Sequence, residues 1–388
     1  MKRFLLALGM ALGISLLSYL VMNFPYPLFD DWGALAFAEM ISGNRHKAPF
    51  PEDSVLCVNM AFEKQLAIAS TPDNITRGTL DVTDRAKLIR LLKIAQRADY
   101  RYIFLDVRFT AGLKTENDDE LFSLIREMPR LVFSHHRGEK FRIADSTLLD
   151  KAALADYGMT SFTGFTRYQY LQKGEESVAL RMHRDLDHGD IRRHGPFYVS
   201  YMSEKRLCRN AQYIRIPRAI LEREMGNNQI RYPYLGNQLF REYSDDELIE
   251  EMNGRILIIG DFDNDLHSTY VGDVPGAMLS FLAWWELHTG KHILSKVFLI
   301  LMFALYTLIS WLLLTPKDKL YEKIPFLKRI KNPVFRFLLS LFSWGLVFWV
   351  LQVLLYCFSE ISLSIAVPSA LFSIFAEFNK FKEKTSTK

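Results

Sequence analysis

Long apolar runs stand near both ends of this chain, and a stretch of mixed polarity separates them. The N-terminal run covers residues 4–24 without a charged residue, and three further runs cover residues 297–314, 335–358 and 361–375. A helix needs about 20 mostly apolar residues to cross roughly 30 Å of hydrocarbon. The pattern therefore predicts α-helical transmembrane segments on both sides of a large globular domain.

These runs divide the chain into four parts. We predict an N-terminal transmembrane anchor over residues 1–24, a globular domain over residues 25–293, three transmembrane helices within residues 294–378, and a short tail. The three helices and the tail take residues 294–314, 335–358, 361–378 and 379–388. Pro368 interrupts the last helix, so a re-entrant segment is the alternative there. The first run is longer than a signal-peptide core, so we expect an uncleaved anchor, with a removed signal peptide as the alternative.

Basic residues in the short loops set the expected orientation. The loop after residue 314 has six lysines or arginines against two acidic residues, and residues 379–388 have four lysines against one glutamate. Short loops rich in such residues stay in the cytoplasm. We therefore expect a bacterial inner-membrane protein with both termini in the cytoplasm and the large domain in the periplasm. The net charge of +4 comes largely from these loops, and we expect the lipid bilayer, not nucleic acid, as the partner it implies.

Within the central domain, short apolar runs alternate with segments of helical spacing. Strands are predicted at residues 55–59, 102–106, 131–134 and 255–260, with a further candidate at 197–201. Helices are predicted around residues 88–95, after the caps Asp81 and Thr83, from residue 117 onward, and over 276–288. This alternation predicts an α/β fold with a mostly parallel sheet covered by helices.

Polar side chains follow the predicted strands at the edge where parallel sheets bind ligands. Asp106 and Arg108 follow one strand, His135 follows another, and Asp261 follows the closing strand. A short loop then adds a carboxylate, an imidazole and a hydroxyl. The candidate ligand- or partner-binding residues are therefore Asp106, Arg108, His135, Asp261, Asp265, His267 and Thr269.

A helix start follows this loop at Pro275 and Gly276. Unpaired amides at such a start favour a small polar or anionic ligand. The alternative is a structural polar network that fixes the loop. The spacing of the loop's acidic residues is similar to a calcium loop, but Leu266 and Gly272 stand where the turn glycine and the bidentate glutamate belong. We expect no metal and no cofactor, and no catalytic motif gives a positive indication of enzymatic activity.

We expect three further groups of residues to have structural rather than binding roles. Histidines within a charged stretch are expected to lie in a solvated loop: His183, His188 and His194. Trp284 and Trp285 precede the second span and are expected in an interfacial belt. Cys57 and Cys208 are expected to be small buried residues, although a disulfide is left open.

The segment around residues 253–286 resembles the second class of CHASE extracellular sensory domains (CHASE 2). The resemblance is carried by a closing strand, a Gly-Asp turn at Gly260 and Asp261, an Asp-x-His-x-Thr element beginning at Asp265, and a Gly-x-x-Pro-Gly helix start at residues 272–276. It implies a sensory domain preceded by one membrane anchor and followed by three transmembrane helices.

Family members commonly carry a cyclase, kinase or phosphatase domain after the last span, whereas ten residues follow residue 378 here. We therefore expect a membrane-anchored sensory or ligand-binding protein that binds an unknown small ligand and acts through a protein partner carrying the output. The alternative is a structural subunit of an envelope complex whose outer domain docks other proteins.

Overall fold

The computed structural model describes residues 2–24, 31–42, 52–70, 76–136, 144–155, 158–160, 164–217, 220, 232–269, 272–314, 332–359 and 364–386. The first part forms α1 (Lys2–Met22), α2 (Asp31–Ser42), β1 (Val55–Asn59), β2 (Lys64–Ser70), β3 (Thr76–Thr83), α3 (Arg85–Gln96), β4 (Tyr102–Leu105), β5 (Leu113–Lys114), α4 (Asp118–Glu127) and β6 (Leu131–His135). The middle part forms β7 (Ala152–Leu154), β8 (Gly158–Thr160), β9 (Gly164–Gln169), β10 (Leu171–Gln172), β11 (Glu175–Glu176), α5 (Val178–Asp187), β12 (Asp190–His194), β13 (Phe197–Tyr201), β14 (Lys205–Leu207) and β15 (Ala211–Gln212). The last part forms α6 (Asp245–Met252), β16 (Ile256–Gly260), β17 (Leu266–Thr269), β18 (Gly272–Pro275), α7 (Gly276–His288), α8 (Lys296–Leu314), α9 (Pro333–Ser359) and α10 (Ala366–Ser386).

The central sheet is parallel, as the alternation of strands and helices predicts. Its strands lie in the order β1-β16-β4-β6-β7. Alternate residues of β1 enter two separate cores: Val55 and Cys57 pack beneath α5 and α7, and Leu56 and Val58 pack beneath α3, α4 and α6. Helices therefore cover both faces, which explains why these strands read as continuous apolar runs.

The sequence predicts the positions of α3 and α7, but it assigns the wrong cap to α3. The N-cap of α3 is Asp84, whose side chain accepts a hydrogen bond from the Lys87 amide. The predicted caps Asp81 and Thr83 are wrong because both residues belong to β3 and pair with β2. The predicted helix over 276–288 is confirmed at both ends by α7.

Antiparallel additions surround the parallel sheet. β3, β2 and β5 form one three-stranded sheet, β12, β13 and β14 form another, and β17 pairs with β18 in a hairpin. The candidate strand at residues 197–201 is confirmed as β13, but it belongs to an antiparallel sheet. The β2–β3 pair is not in the sequence-based prediction.

Three helices among the described residues are long and apolar enough to cross a membrane: Lys2–Met22, Lys296–Leu314 and, within α9, Phe337–Cys357. The chain is therefore consistent with a membrane protein. In α10 the apolar stretch Ala366–Ala376 is shorter, so a fourth span stays a prediction.

Pro368 is the third residue of α10, where its missing N–H has no partner within the helix to lose. The Phe372 ring of α10 stacks on Phe348 of α9.

The domain-side end of α1 is bound directly to the globular domain. The Arg167 guanidinium donates hydrogen bonds to the carbonyl oxygens of Val21, Met22 and Phe24, each at 3.2 Å. The Tyr19 hydroxyl donates to the Cys208 carbonyl at 3.0 Å. The Arg167 hydrogen bonds pair carbonyls that a helix end leaves unpaired, and the positive charge of the guanidinium suits the helix dipole.

Two interpretations from the sequence are wrong for one residue each, because the side chains of His183 and Trp284 are buried in the domain, whereas His188 and His194 are exposed. His183 lies inside α5 and bonds to Asp187 at 2.8 Å rather than lying in a solvated loop. Trp284 is buried in α7, and its indole N–H donates to the same carboxylate. Cys57 and Cys208 are both buried and free, as expected for small core residues.

Candidate functional site

The carboxyl ends of three neighbouring strands bring polar side chains to one edge of the sheet. Asp106 follows β4, Ser134 lies near the end of β6, and Asp261 follows β16. Because these strands are parallel neighbours in the order β16-β4-β6, their ends share one edge, where parallel sheets bind ligands. Asp106 and Asp261 lie at this edge, as their places after predicted strands imply, and Asp265 in the loop after β16 lies with them in one cavity.

Asp106 lies at the centre of this edge. Its partly buried carboxylate accepts a 2.5 Å hydrogen bond from the Ser134 hydroxyl, the one hydrogen-bond donor to it among the described residues. Burial is the main cause that raises the pKa of Asp106 to about 6, and the nearby Asp265 carboxylate raises it further. Ser134, His136 and His267 lower this pKa in part. Asp106 therefore changes charge near neutral pH, as groups at functional sites often do.

Two glycines allow the surrounding side chains to approach each other. A Cβ on Gly260 would lie 3.1 Å from the Asp106 Cβ, and a Cβ on Gly276 would lie 2.6 Å from Asp265 Oδ2 and 3.0 Å from His267 Nε2. Gly260 thus makes room beside Asp106. Gly276 lets the Asp265 and His267 side chains pack against the first turn of α7.

Asp265 lies at the start of α7, where the sequence predicts a small polar or anionic ligand. The Gly276 amide donates to the Asp265 carbonyl at 2.9 Å, and the Asp265 carboxylate lies against the same residue. His267 Nε2 is 3.4 Å from Asp265 Oδ1. The negative charge that favours a helix N-terminus therefore comes from the chain itself, which disfavours an anionic ligand at this point.

Asp261 has a different environment from Asp106. Its carboxylate accepts hydrogen bonds from the Lys64 ammonium at 3.1 Å and from the Asn264 amide at 2.8 Å. Burial alone would raise the pKa of Asp261, but the hydrogen bonds from Asn264 and Lys64 outweigh it and lower that pKa. Asn59, at the end of β1, also accepts from the Phe262 amide. Asp261 therefore holds the loop after β16 in place.

A cavity of about 480 Å³ opens at this strand-end edge. Asp106 and Asp261 line it from the strand ends, Asp265 lines it from the loop after β16, and Lys64 and Leu80 line it from β2 and β3. The antiparallel β2–β3 pair therefore forms one wall of the cavity. The sequence missed this wall because nothing local in β2 and β3 indicates where the pair packs.

Arg108 stands at the edge of the cavity with an exposed guanidinium. Across the described ranges we see no ion pair for this group. The Arg108 carbonyl accepts a 3.2 Å hydrogen bond from Arg85. The Arg85 guanidinium is buried, with its Nε 3.3 Å from Asp118 and its carbon 4.7 Å from the centre of the Phe109 ring. This buried ion pair fixes the backbone that follows Asp106.

Three of the predicted site residues do not line the cavity: His135, Thr269, and His267, whose ring lies beside Asp265. His135 is buried at the end of β6, and its ring Nδ1 lies 3.2 Å from the His136 carbonyl; His136 lines the cavity in its place. Thr269 is buried and donates to the Gly272 carbonyl at 2.6 Å, closing the β17–β18 hairpin. Strand alternation explains the first difference, because β6 continues one residue beyond the predicted end.

A second cavity of about 430 Å³ lies on the outer surface of α3, α4 and α6. Its charged residues pair with each other, Arg90 with Asp245 and Lys93 with Glu120. These exposed pairs already neutralise the charge of the groove. The strand-end cavity, with its weakly partnered Asp106, is therefore the better candidate.

The side chains at the strand ends do not form an evident metal centre. Over the described part of the chain, no group of three or more His, Cys, Asp or Glu side chains is placed to hold a metal ion. Comparison of the chain with family models, curated proteins and solved structures finds no match. The resemblance to CHASE 2 therefore stays a prediction.

Proposed function

We propose that this chain is a ligand-binding sensor of the CHASE 2 type, anchored in a bacterial inner membrane with its large domain in the periplasm. Its ligand is small and polar, and it binds in the strand-end cavity around Asp106. With both termini in the cytoplasm, the chain acts through a partner protein that carries the output. The basic loop after residue 314 and the basic tail support this orientation.

One observation carries the binding proposal. Asp106 keeps a carboxylate at a partly buried position with one hydroxyl donor, beside the second carboxylate of Asp265. Ionising a carboxylate in such a place is unfavourable unless a partner compensates it. An asparagine would fill the same space without this cost, so a role in binding accounts for the aspartate better than a role in folding.

A second candidate is supported by an exposed apolar surface on β2. Leu66 and Ile68 point to the same side of the strand and expose 70% and 56% of their surfaces. Apolar side chains grouped in this way often mark protein–protein contacts. They favour the alternative in which the outer domain docks another envelope protein.

Native mass spectrometry of the full chain, purified in mild detergent, distinguishes the two candidates. The sensor proposal predicts a bound small molecule at a stoichiometry near one. The docking alternative predicts stoichiometric co-purification of another protein that is lost in Leu66→Asp. A chain that carries neither, before and after exposure to periplasmic extract, would contradict both.

Topology reporters test the orientation separately. A reporter inserted near Lys173 should read as periplasmic, and one fused after residue 388 should read as cytoplasmic. A cytoplasmic signal from the Lys173 fusion would refute the sensor proposal.

A further inference from the structure

Helix α2 lies beside a membrane span, although it belongs to the segment that the sequence assigns to the globular domain. The Phe37 ring is 5.1 Å from the Trp349 ring, and the Cys357 thiol lies 3.8 Å from the Ala38 carbonyl. Trp349 and Cys357 both lie within the stretch of α9 that is apolar enough to span a membrane. The two contacts lie eight residues apart on α9, about 12 Å at 1.5 Å per residue, so this part of α2 packs against the apolar stretch and lies at membrane depth.

The two faces of α2 give a second, independent indication. Ala34, Leu35 and Ala38 are fully buried in the cluster formed with the spans. The adjoining face carries Phe37, which borders Trp349, together with Met40 and Ile41, and these three expose 37%, 70% and 55% of their surfaces. These residues have the i, i+3, i+4 spacing of one helical face. A helix that is apolar on the packed face and on the outer face suits a lipid environment and not water.

The chain connections identify the leaflet. α1 ends at Met22, where Arg167 binds its last carbonyls to the globular domain, and α2 begins at Asp31. Arg167 also binds the Phe24 carbonyl. The chain from Phe24 to Asp31 can reach at most about 25 Å, so α2 stays at the domain side of the membrane. Cys357 lies near the end of α9, so the contact of its thiol with the Ala38 carbonyl places α2 against the end of that span.

We propose that α2 is a membrane-embedded helix in the leaflet next to the globular domain, with Phe37, Met40 and Ile41 in contact with lipid acyl chains. The exposed face continues the lipid-facing surface of the spans and binds the hydrocarbon of that leaflet. This inference does not depend on the ligand at Asp106.

Site-directed spin labelling of the full chain in lipid nanodiscs tests the proposal. Met40→Cys is compared with Leu66→Cys, whose parent side chain also exposes 70% of its surface but lies on β2 of the globular domain. Both are made in a Cys357→Ser background, since serine can donate the same hydrogen bond to Ala38, and Cys57 and Cys208 are buried. Collisions of the label with apolar oxygen and with a water-soluble nickel chelate are then measured.

A label at Met40 should collide several-fold more often with oxygen than with the nickel chelate, and a label at Leu66 should show the reverse. Ile41→Cys provides a second position on the same face, so a folding defect at one position does not decide the result. Equal or greater accessibility of the Met40 and Ile41 labels to the nickel chelate would overturn the proposal.

Discussion

The Ser134 hydroxyl donates a 2.5 Å hydrogen bond to the Asp106 carboxylate, and no other described group donates to it. This single contact stabilises the ionised form less than burial and the Asp265 carboxylate destabilise it, so the pKa of Asp106 rises to about 6. The ionised Asp106 carboxylate therefore lacks a compensating partner among the described residues. This lack should lower the stability of the folded protein at neutral pH.

Asp106→Asn should increase stability at neutral pH. The folded-state pKa is about 6 and the reference value is 3.8, so wild type is stabilised by this group below pH 3.8 and loses that contribution as pH rises through 6. At about 1.36 kcal/mol per pKa unit, the gain of the variant at pH 7.5 is at most about 3 kcal/mol. Thermal unfolding of wild type and Asp106→Asn at pH 4 and pH 7.5 measures this difference. The variant should be more stable than wild type only at pH 7.5, and a less stable variant at pH 7.5 would contradict the raised pKa of Asp106.

Asp261→Asn should have the opposite effect. The pKa of Asp261 is lowered by hydrogen bonds from Asn264 and Lys64 despite the opposing effect of burial, so its contribution is present at neutral pH and is lost as pH falls through the folded-state pKa. We expect a loss of about 1–2 kcal/mol at pH 7.5. The same unfolding series measures it, and a gain in stability would show that the Lys64 and Asn264 contacts do not hold the loop.

Gly276→Ala should disturb the cavity from its outer side. The new methyl group would lie 2.6 Å from Asp265 Oδ2 and 3.0 Å from His267 Nε2, so both side chains must move. We expect destabilisation of about 1–3 kcal/mol, as for other overpacked sites. Gly13→Ala, which has no atom within 4 Å of its added Cβ, is the control for thermal unfolding. Equal melting temperatures for the two variants would be inconsistent with the packing described.

Arg167→Ala should loosen the join between α1 and the globular domain. The change removes the three hydrogen bonds to the end of α1 and leaves those carbonyls without their partner. We expect a loss of about 2–4 kcal/mol and faster amide hydrogen exchange near Met22. Arg206→Ala removes an exposed pair with Glu204 and should change little. Unchanged exchange near Met22 in Arg167→Ala would refute a role in holding the helix.

The sequence predicts the parallel sheet and the positions of Asp106 and Asp261 at its strand ends, because strand ends follow from apolar periodicity alone. It assigns similar roles to Asp106 and Asp261, which the structure separates, since the partners of Asp261 come from Lys64 on a distant strand and Asn264 in its own loop. The β2–β3 wall and the burial of His135 depend on tertiary packing, so no local pattern indicates them. The same holds for α2, whose length of twelve residues is too short for a span.

Ligand retention by Asp106→Asn is the most direct test of the proposed site. Wild type and variant are purified in parallel with Asp99→Asn, a change at an exposed carboxylate that precedes β4 and so lies at the opposite edge of the sheet from the cavity. The bound small-molecule mass of each is then measured by native mass spectrometry. We expect a bound ligand in wild type and Asp99→Asn, and its loss in an Asp106→Asn protein that is folded and at least as stable. A ligand retained in full by Asp106→Asn would contradict it.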